Sequence, residues 1–348
     1  MAHLKIKGDY EVARTVLGAI YKAYEEKEHP FNSTVLPQRI ENIPEGVSWG
    51  SKEHAVVLFN FCLYMRGRID SESAIKGMKK VYEKSPDMYS IDYMKFADEE
   101  VVSPVLRQLL IFNGLGFNAD QISRHWILNK KKIAEHWHSD PRNIFMGVNF
   151  YEEAVRRLKN NGKFDLNNPF GFYGFREKMV SMLVYFYIEA GIIKPFRFPP
   201  PVDFHVLRIL FSNQILTVEN YKPGMRFWQN GMTDEARKIL SRWIEEEGKD
   251  SVILSNALWL LSRDLCDKAP GNISTVSEVK DGRNTKVFPK EWKLTKTRIQ
   301  VYSEKTCFVC PLRDTCKISI PSAPYYINGL IELRGDRPKL PVQGKIDI

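Results

Sequence analysis

Along TDEARKILSRWIEEEG (233–248) the apolar residues Ala236, Ile239, Leu240, Trp243 and Ile244 recur at i, i+3, i+4, i+7 and i+8. That is the spacing of one buried face on an α-helix, with Thr233 at the expected N-cap and Gly248 at the expected stop. EHAVVLFNFCLYM (53–65) is apolar nearly all round and predicts a helix buried on every side. SESAIKGMKKVYEK (71–84) and YEEAVRRLKNN (151–161) are amphipathic. KMVSMLVYFYIEAG (178–191) predicts a long apolar helix closed by Gly191, followed by a proline-rich link, KPFRFPPP (194–201). Period-two alternation is scarce and no internal repeat is visible. The predicted fold class is all-α.

Two stretches depart from the helical rhythm. Residues 267–306 contain Pro270, Gly271, Gly282 and Pro289 and predict an irregular loop, with nine basic residues against five acidic ones. The tail after Cys316 has prolines at 321, 324, 338 and 341 and predicts an extended or partly disordered segment.

Composition narrows the function classes. No segment reaches the roughly 18 apolar residues of a membrane span. The start, MAHLKIKGDYEVAR, lacks the apolar core of a signal peptide, which predicts a cytoplasmic protein, nucleoid-associated in a bacterium or archaeon. The 51 Lys and Arg against 42 Asp and Glu give +9 and point to a polyanionic partner, nucleic acid first. Five cysteines in a reducing compartment argue for a metal or free thiols over disulfides. Cys62, inside FNFCLYM, reads as a core residue. Cys307, Cys310 and Cys316 in CFVCPLRDTC are spaced by two and five residues, whereas a thiolate site needs four ligands.

Two further stretches carry candidate chemistry. In GFYGFREKMVSMLV (171–184) a glycine turn leads into an apolar helix with Lys178 in its first turn. Turn amides and a helix N-terminus can seat a phosphate, and a lysine there is placed where the neutral, nucleophilic amine is favoured. Taken alone, the same residues also read as a plain turn and a surface lysine. In PPPVDFHVLRI (199–209), Asp203 is a candidate N-cap, His205 a core or capping histidine and Arg208 an ion-pair partner.

Together the two stretches resemble the helix-hairpin-helix (HhH-GPD) DNA glycosylases of the endonuclease III type. Gly174 matches the first hairpin glycine, Lys178 the catalytic lysine and Asp203 the catalytic aspartate. WLLSRDLC (259–266) is similar to that family's apolar run, glycine, arginine and first cluster cysteine, and Cys307, Cys310 and Cys316 repeat the spacings of its other three. IFNGLGFNADQI (111–122) resembles the turn before the helix that leads to the hairpin. The motifs stand in the family's order from about residue 50 to Cys316. The resemblance implies a two-lobed helical fold, with 1–49 and 203–348 forming a lobe that carries the cluster and the basic loop 267–306. A six-helix-type lobe, 50–202, would end in the hairpin at about 165–191.

It also implies the chemistry. A base flipped out of double-stranded DNA would be excised through a Schiff base on Lys178, with Asp203 stabilising charge on the sugar and strand cleavage following by β-elimination. Gly174, Phe175, Arg176, Lys268 and Arg313 would contact nucleic acid. Phe172, Tyr173, Phe175 and Trp126 are candidates for the base pocket, against plain packing. Cys266, Cys307, Cys310 and Cys316 would hold a [4Fe–4S] cluster, with zinc as the alternative, in a monomer.

Two departures bear on the substrate. Arg176 replaces the second hairpin glycine, and forty residues separate Cys266 from Cys307, where the family has six. They keep open an N-glycosidase acting on a free modified nucleoside or nucleotide, and a non-catalytic cluster protein that binds nucleic acid.

Overall fold

The structure, a computed structural model, describes residues 5–32, 36–65, 70–162, 164–218, 226–227, 230–266, 276–280, 283–287, 306–307, 309–316, 325–327 and 330–332. In chain order the first elements are β1 (Ile6–Gly8), α1 (Tyr10–Glu25), α2 (Lys52–Tyr64), α3 (Ser71–Lys84), α4 (Ile91–Phe96), α5 (Glu99–Phe112) and α6 (Ala119–His136). Then come α7 (Tyr151–Leu158), α8 (Glu177–Glu189), α9 (Phe204–Ser212), β2 (Leu216–Val218), β3 (Arg226–Phe227), α10 (Asn230–Glu246) and α11 (Ser251–Asp264). Four strands follow: β4 (Val276–Lys280), β5 (Arg283–Val287), β6 (Tyr325–Ile327) and β7 (Leu330–Glu332). The chain is mostly helical, in agreement with the periodicity. Among the described residues no helix is long and apolar enough to cross a membrane.

The chain divides into two units, Met1–Thr34 with Val202–Ile348, and Val35–Pro201. In the first, the chain's beginning is tied to its second half. β1 pairs antiparallel with β2, Ile6 facing Val218, and α1 lays Ala13, Val16, Leu17 and Ile20, all buried, towards α10 and α11. Asp9 caps α1 by accepting from the Val12 amide (3.1 Å). α10 begins at Asn230, so Thr233 lies inside the helix and not at its N-cap. Gly231 is tolerated so near a helix start, and the first turn forms upstream of the predicted one. Gly248, at φ +62, ends it.

The second unit is organised on α2, whose residues from His54 to Tyr64 are all buried. It packs against α8, and α6 packs against α4 and α5. Gly77 is where α3 meets the turn after α5. A Cβ there would stand 2.8 Å from the Asn113 carbonyl oxygen and 2.7 Å from Leu115, so no larger residue fits without displacement. Segment 35–49, expected with the other lobe, belongs here: buried Gln38 donates to the Tyr185 hydroxyl and to Glu189 Oε2 (2.7 Å) on α8. α7 stops at Leu158, short of the predicted 161, because Asn160-Asn161-Gly162 favours a turn.

Residues 267–306 are not irregular throughout. β4 and β5 pair antiparallel, Val276 opposite Val287 and Lys280 opposite Arg283. Asp281-Gly282 between two five-residue runs is a hairpin signal that the loop's glycine and proline content obscured. In the tail, β6 pairs with β7 and β7 with β3, and Asn328-Gly329 marks the same signal in sequence.

His54 provides a pH-sensitive element of this fold. It is 1% exposed, its Nδ1 accepts from the Gly50 amide (3.1 Å), and its ring lies on Trp49 (4.8 Å). Burial holds its pKa down at about 4, against 6.5 for an ordinary histidine. The unfolded chain therefore takes up the proton first as pH falls. This contribution to stability is whole above pH 6.5 and is lost progressively towards pH 4. Denaturant titrations across that window should show His54→Gln with a shallower slope, the difference amounting to about 2–3 kcal/mol. Equal slopes would remove His54 from the acid response.

Candidate functional site

The connection from α7 to α8, residues 159–176, is held by α6. Four polar residues of α6, His125, Asn129, Lys132 and His136, follow one another at i, i+4, i+7 and i+11, and all four meet the connection. Asn129 clamps Tyr173, donating to its carbonyl (3.0 Å) and accepting from its amide (2.8 Å). Lys132 donates to the carbonyls of Phe170 (3.0 Å) and Gly171 (2.7 Å). His136 Nε2 bonds the Leu166 carbonyl (2.8 Å). His125 stacks on Tyr173, whose other face is covered by Phe164; both centroid separations are 4.1 Å. The stripe was visible in the sequence as polar positions at helical spacing, and its purpose was not.

Lys132 is fully buried, and burial lowers its pKa to about 8 despite Asp165 nearby. Lys132→Met keeps the stem and deletes two hydrogen bonds, leaving two carbonyls unpaired. The expected cost is about 1–3 kcal/mol, read as a fall of several degrees in Tm. An unchanged Tm would mean that the connection does not depend on α6 for its support.

The turn itself is built from two anchors and a reversal. Phe172 and Phe175, both 0% exposed, pack on Phe59 of α2 at 5.5 and 4.7 Å. Between them Gly174 sits at φ +81, a left-handed conformation that glycine adopts without strain. The chain is closed by Phe175 N–H to Phe172 O (3.1 Å) and Asn160 N–H to Phe175 O (2.9 Å). Exposed Arg176 is the N-cap of α8 and gives no side-chain cap, so the first-turn amides have no side-chain acceptor from that position. Lys159 pairs with Glu177 (2.6 Å), and Tyr151 donates to the Glu177 carbonyl (3.2 Å). Lys178, half-buried in the same turn, lies within electrostatic reach of the Cys62 thiol. Burial pushes that thiol well up, Lys178 opposing it.

Of the two readings of the aromatic candidates, packing is the one found. Phe172, Phe175 and Trp126 are fully buried, and the Trp126 indole donates to the Met88 carbonyl (2.8 Å). Tyr173 is covered on both faces. All four are packing residues, and Phe175, expected to contact nucleic acid, belongs to the core.

Asp203 lies in the other unit, as N-cap of α9. Its Oδ1 accepts from the amides of His205 (2.8 Å) and Val206 (3.3 Å), and the side chain is half-buried. The capping role is thus real, and it orients one carboxylate oxygen. His205 Nδ1 is 3.1 Å from Ser262 Oγ on α11, and the 3%-exposed Arg208 donates to the same oxygen (3.1 Å).

The four cysteines lie in this same unit. Cys266 follows α11 directly, and Cys307, Cys310 and Cys316 lie on a run of turns. Cys310 N–H meets Cys307 O (3.3 Å) and Cys316 N–H meets Leu312 O (2.8 Å). The Leu312 amide points at Cys310 Sγ (3.4 Å), and Thr315 ties the run to Asn213 after α9 (3.1 Å). Burial raises Cys307 to about 11 and Cys310 to about 12. Cys266 is pushed well up by burial, then by Cys310 and Cys316, with Arg208 opposing. Among the described residues no three His, Cys, Asp or Glu form a group that could hold a metal ion. Four thiols close enough to raise one another's pKa are a donor set of the chemistry that a thiolate-held metal or cluster requires.

Arg313 is exposed and pairs with Asp314 (3.3 Å), and Lys268 lies outside the described residues. No protein-family model matches the chain, and no curated protein matches it at a significant level.

Proposed function

We propose that this protein is a DNA N-glycosylase with associated lyase activity that removes a damaged or modified base. The observation that carries the reading is one juxtaposition in a single turn of backbone. Left-handed Gly174, exposed Arg176, the N-terminus of α8 without a side-chain cap and half-buried Lys178 all fall within five residues. Exposed amides at a positive helix end receive a phosphate, and Arg176 adds a charge at that position.

The chemistry then follows from the residue types. The base is extruded from the stack. The neutral amine of Lys178 forms a bond to C1′ as the N-glycosidic bond breaks, and the base departs with the bonding pair and a proton. Asp203 stabilises positive charge on the sugar while the bond is partly broken. The amine loses a proton, the sugar ring opens to a Schiff base, and loss of a C2′ proton expels the 3′ phosphate. Water finally hydrolyses the imine and frees Lys178.

Cys266, Cys307, Cys310 and Cys316 would hold the [4Fe–4S] cluster. When bound, it supplies a cross-link between the end of α11 and the 306–316 turns, the excision itself being redox-neutral. Protein purified aerobically should be brown, and Cys310→Ser should lose the colour together with thermal stability. A colourless protein carrying one zinc per chain would overturn the cluster.

Borohydride reduction in the presence of abasic-site DNA should give a covalent protein–DNA complex, and a panel of duplexes with different damaged bases should identify the one released. Base release from a free nucleotide without trapping would favour the N-glycosidase, and neither activity would leave a binding protein.

A further inference from the structure

Ser262 stands where the pattern resembled in the sequence has glycine, so its hydroxyl is a feature of this chain. It is 0% exposed. Among the described residues Ser262 Oγ has two hydrogen-bond partners, His205 Nδ1 at 3.1 Å and Arg208 Nη1 at 3.1 Å. A guanidinium only donates, so Arg208 occupies a lone pair of the oxygen and offers nothing to the hydroxyl hydrogen. The acceptor left for that hydrogen is His205 Nδ1. The reverse arrangement, Nδ1–H donating to Ser262, strands a hydroxyl hydrogen in a dry interior.

We infer that Ser262 fixes His205 as the Nε2–H tautomer, so that the imidazole meets the substrate of Asp203 as a hydrogen-bond donor. His205 is half-buried, two residues after Asp203 in the first turn of α9, with its ring against Phe204 (4.0 Å) and edge-on to Trp259 (6.2 Å). Ser262 is then a positioning residue: it acts through His205 and through the Arg208 side chain that shares its oxygen. A donor beside a carboxylate suits an acceptor on the substrate, such as a carbonyl of the departing base or a phosphate oxygen. The inference about substrate contact rests on the reading of Asp203 as a working group. The tautomer does not.

The test uses the full-length protein with nitrogen-labelled histidine rings, the His205 signals being those lost in His205→Gln. At mildly alkaline pH the wild type should show Nε2 protonated and Nδ1 bare. A dominant Nδ1–H form would overturn the inference. Ser262→Ala should give a mixture of tautomers, and Ser262→Thr should restore the wild-type pattern. A Ser262→Ala spectrum identical to wild type would also overturn it. On a DNA substrate, Ser262→Ala should lower kcat on the order of tenfold with KM unchanged, the rate equivalent of one net hydrogen bond. Absence of base release from any duplex would defeat the glycosylase reading, while the ring-nitrogen spectrum would still decide the tautomer.

Discussion

Lys178→Ala should abolish borohydride trapping on abasic-site DNA and leave the fold intact. The residue sits in the first turn of α8, half-buried, and alanine is the best helix former, so the helix keeps its start. Its neighbours hold the turn without it, through the Lys159–Glu177 pair and the contact of Tyr151 with the Glu177 carbonyl. What is removed is the amine. Lys178→Arg should fail equally, because a guanidinium stays protonated and cannot form the imine. The measurement is the yield of covalent complex beside a melting curve for each variant. If Lys178→Ala traps as well as wild type, the nucleophile is another amine and Lys178 leaves the mechanism.

Asp203→Asn should reduce base release by about 10²- to 10⁴-fold with an unchanged Tm. On the proposed reading the carboxylate has two separable jobs. Its Oδ1 caps α9 through the amides of His205 and Val206, and asparagine caps a helix about as well as aspartate. The negative charge is lost, and with it the proposed stabilisation of the sugar cation. Asp203→Ala should lose both, adding roughly 1 kcal/mol of instability from the missing cap. Single-turnover rates and melting curves separate the two. An Asp203→Asn variant with full activity would reduce Asp203 to a capping residue.

The secondary structure was legible in the sequence wherever its cause was local. The apolar spacing in 71–84 matches α3, the capping aspartate of α9 is where the sequence puts it, and Gly191 ends α8 at φ +67. The errors are local. Thr233 and residue 161 misplace helix boundaries by four and three residues, the first because Gly231 is tolerated near a helix start and the second because Asn160-Asn161-Gly162 turns the chain. The two Asp-Gly and Asn-Gly hairpins escaped because each strand is no more than five residues long, too short for alternation to stand out against the surrounding glycines and prolines.

By itself the sequence determined which residues are the candidates for chemistry: Lys178 in a first turn behind a glycine, Asp203 at a cap, and cysteines at 266, 307, 310 and 316. Those are statements about residue type and spacing within a few turns. The tertiary structure decided which side chains are accessible. It put Phe172, Phe175 and Trp126 in the core, gave the polar stripe of α6 a connection to support, and brought Ser262 to His205 across 57 residues of chain. Burial and hydrogen-bond partnership depend on neighbours distant in sequence, and helical periodicity says that a face is covered without saying what covers it.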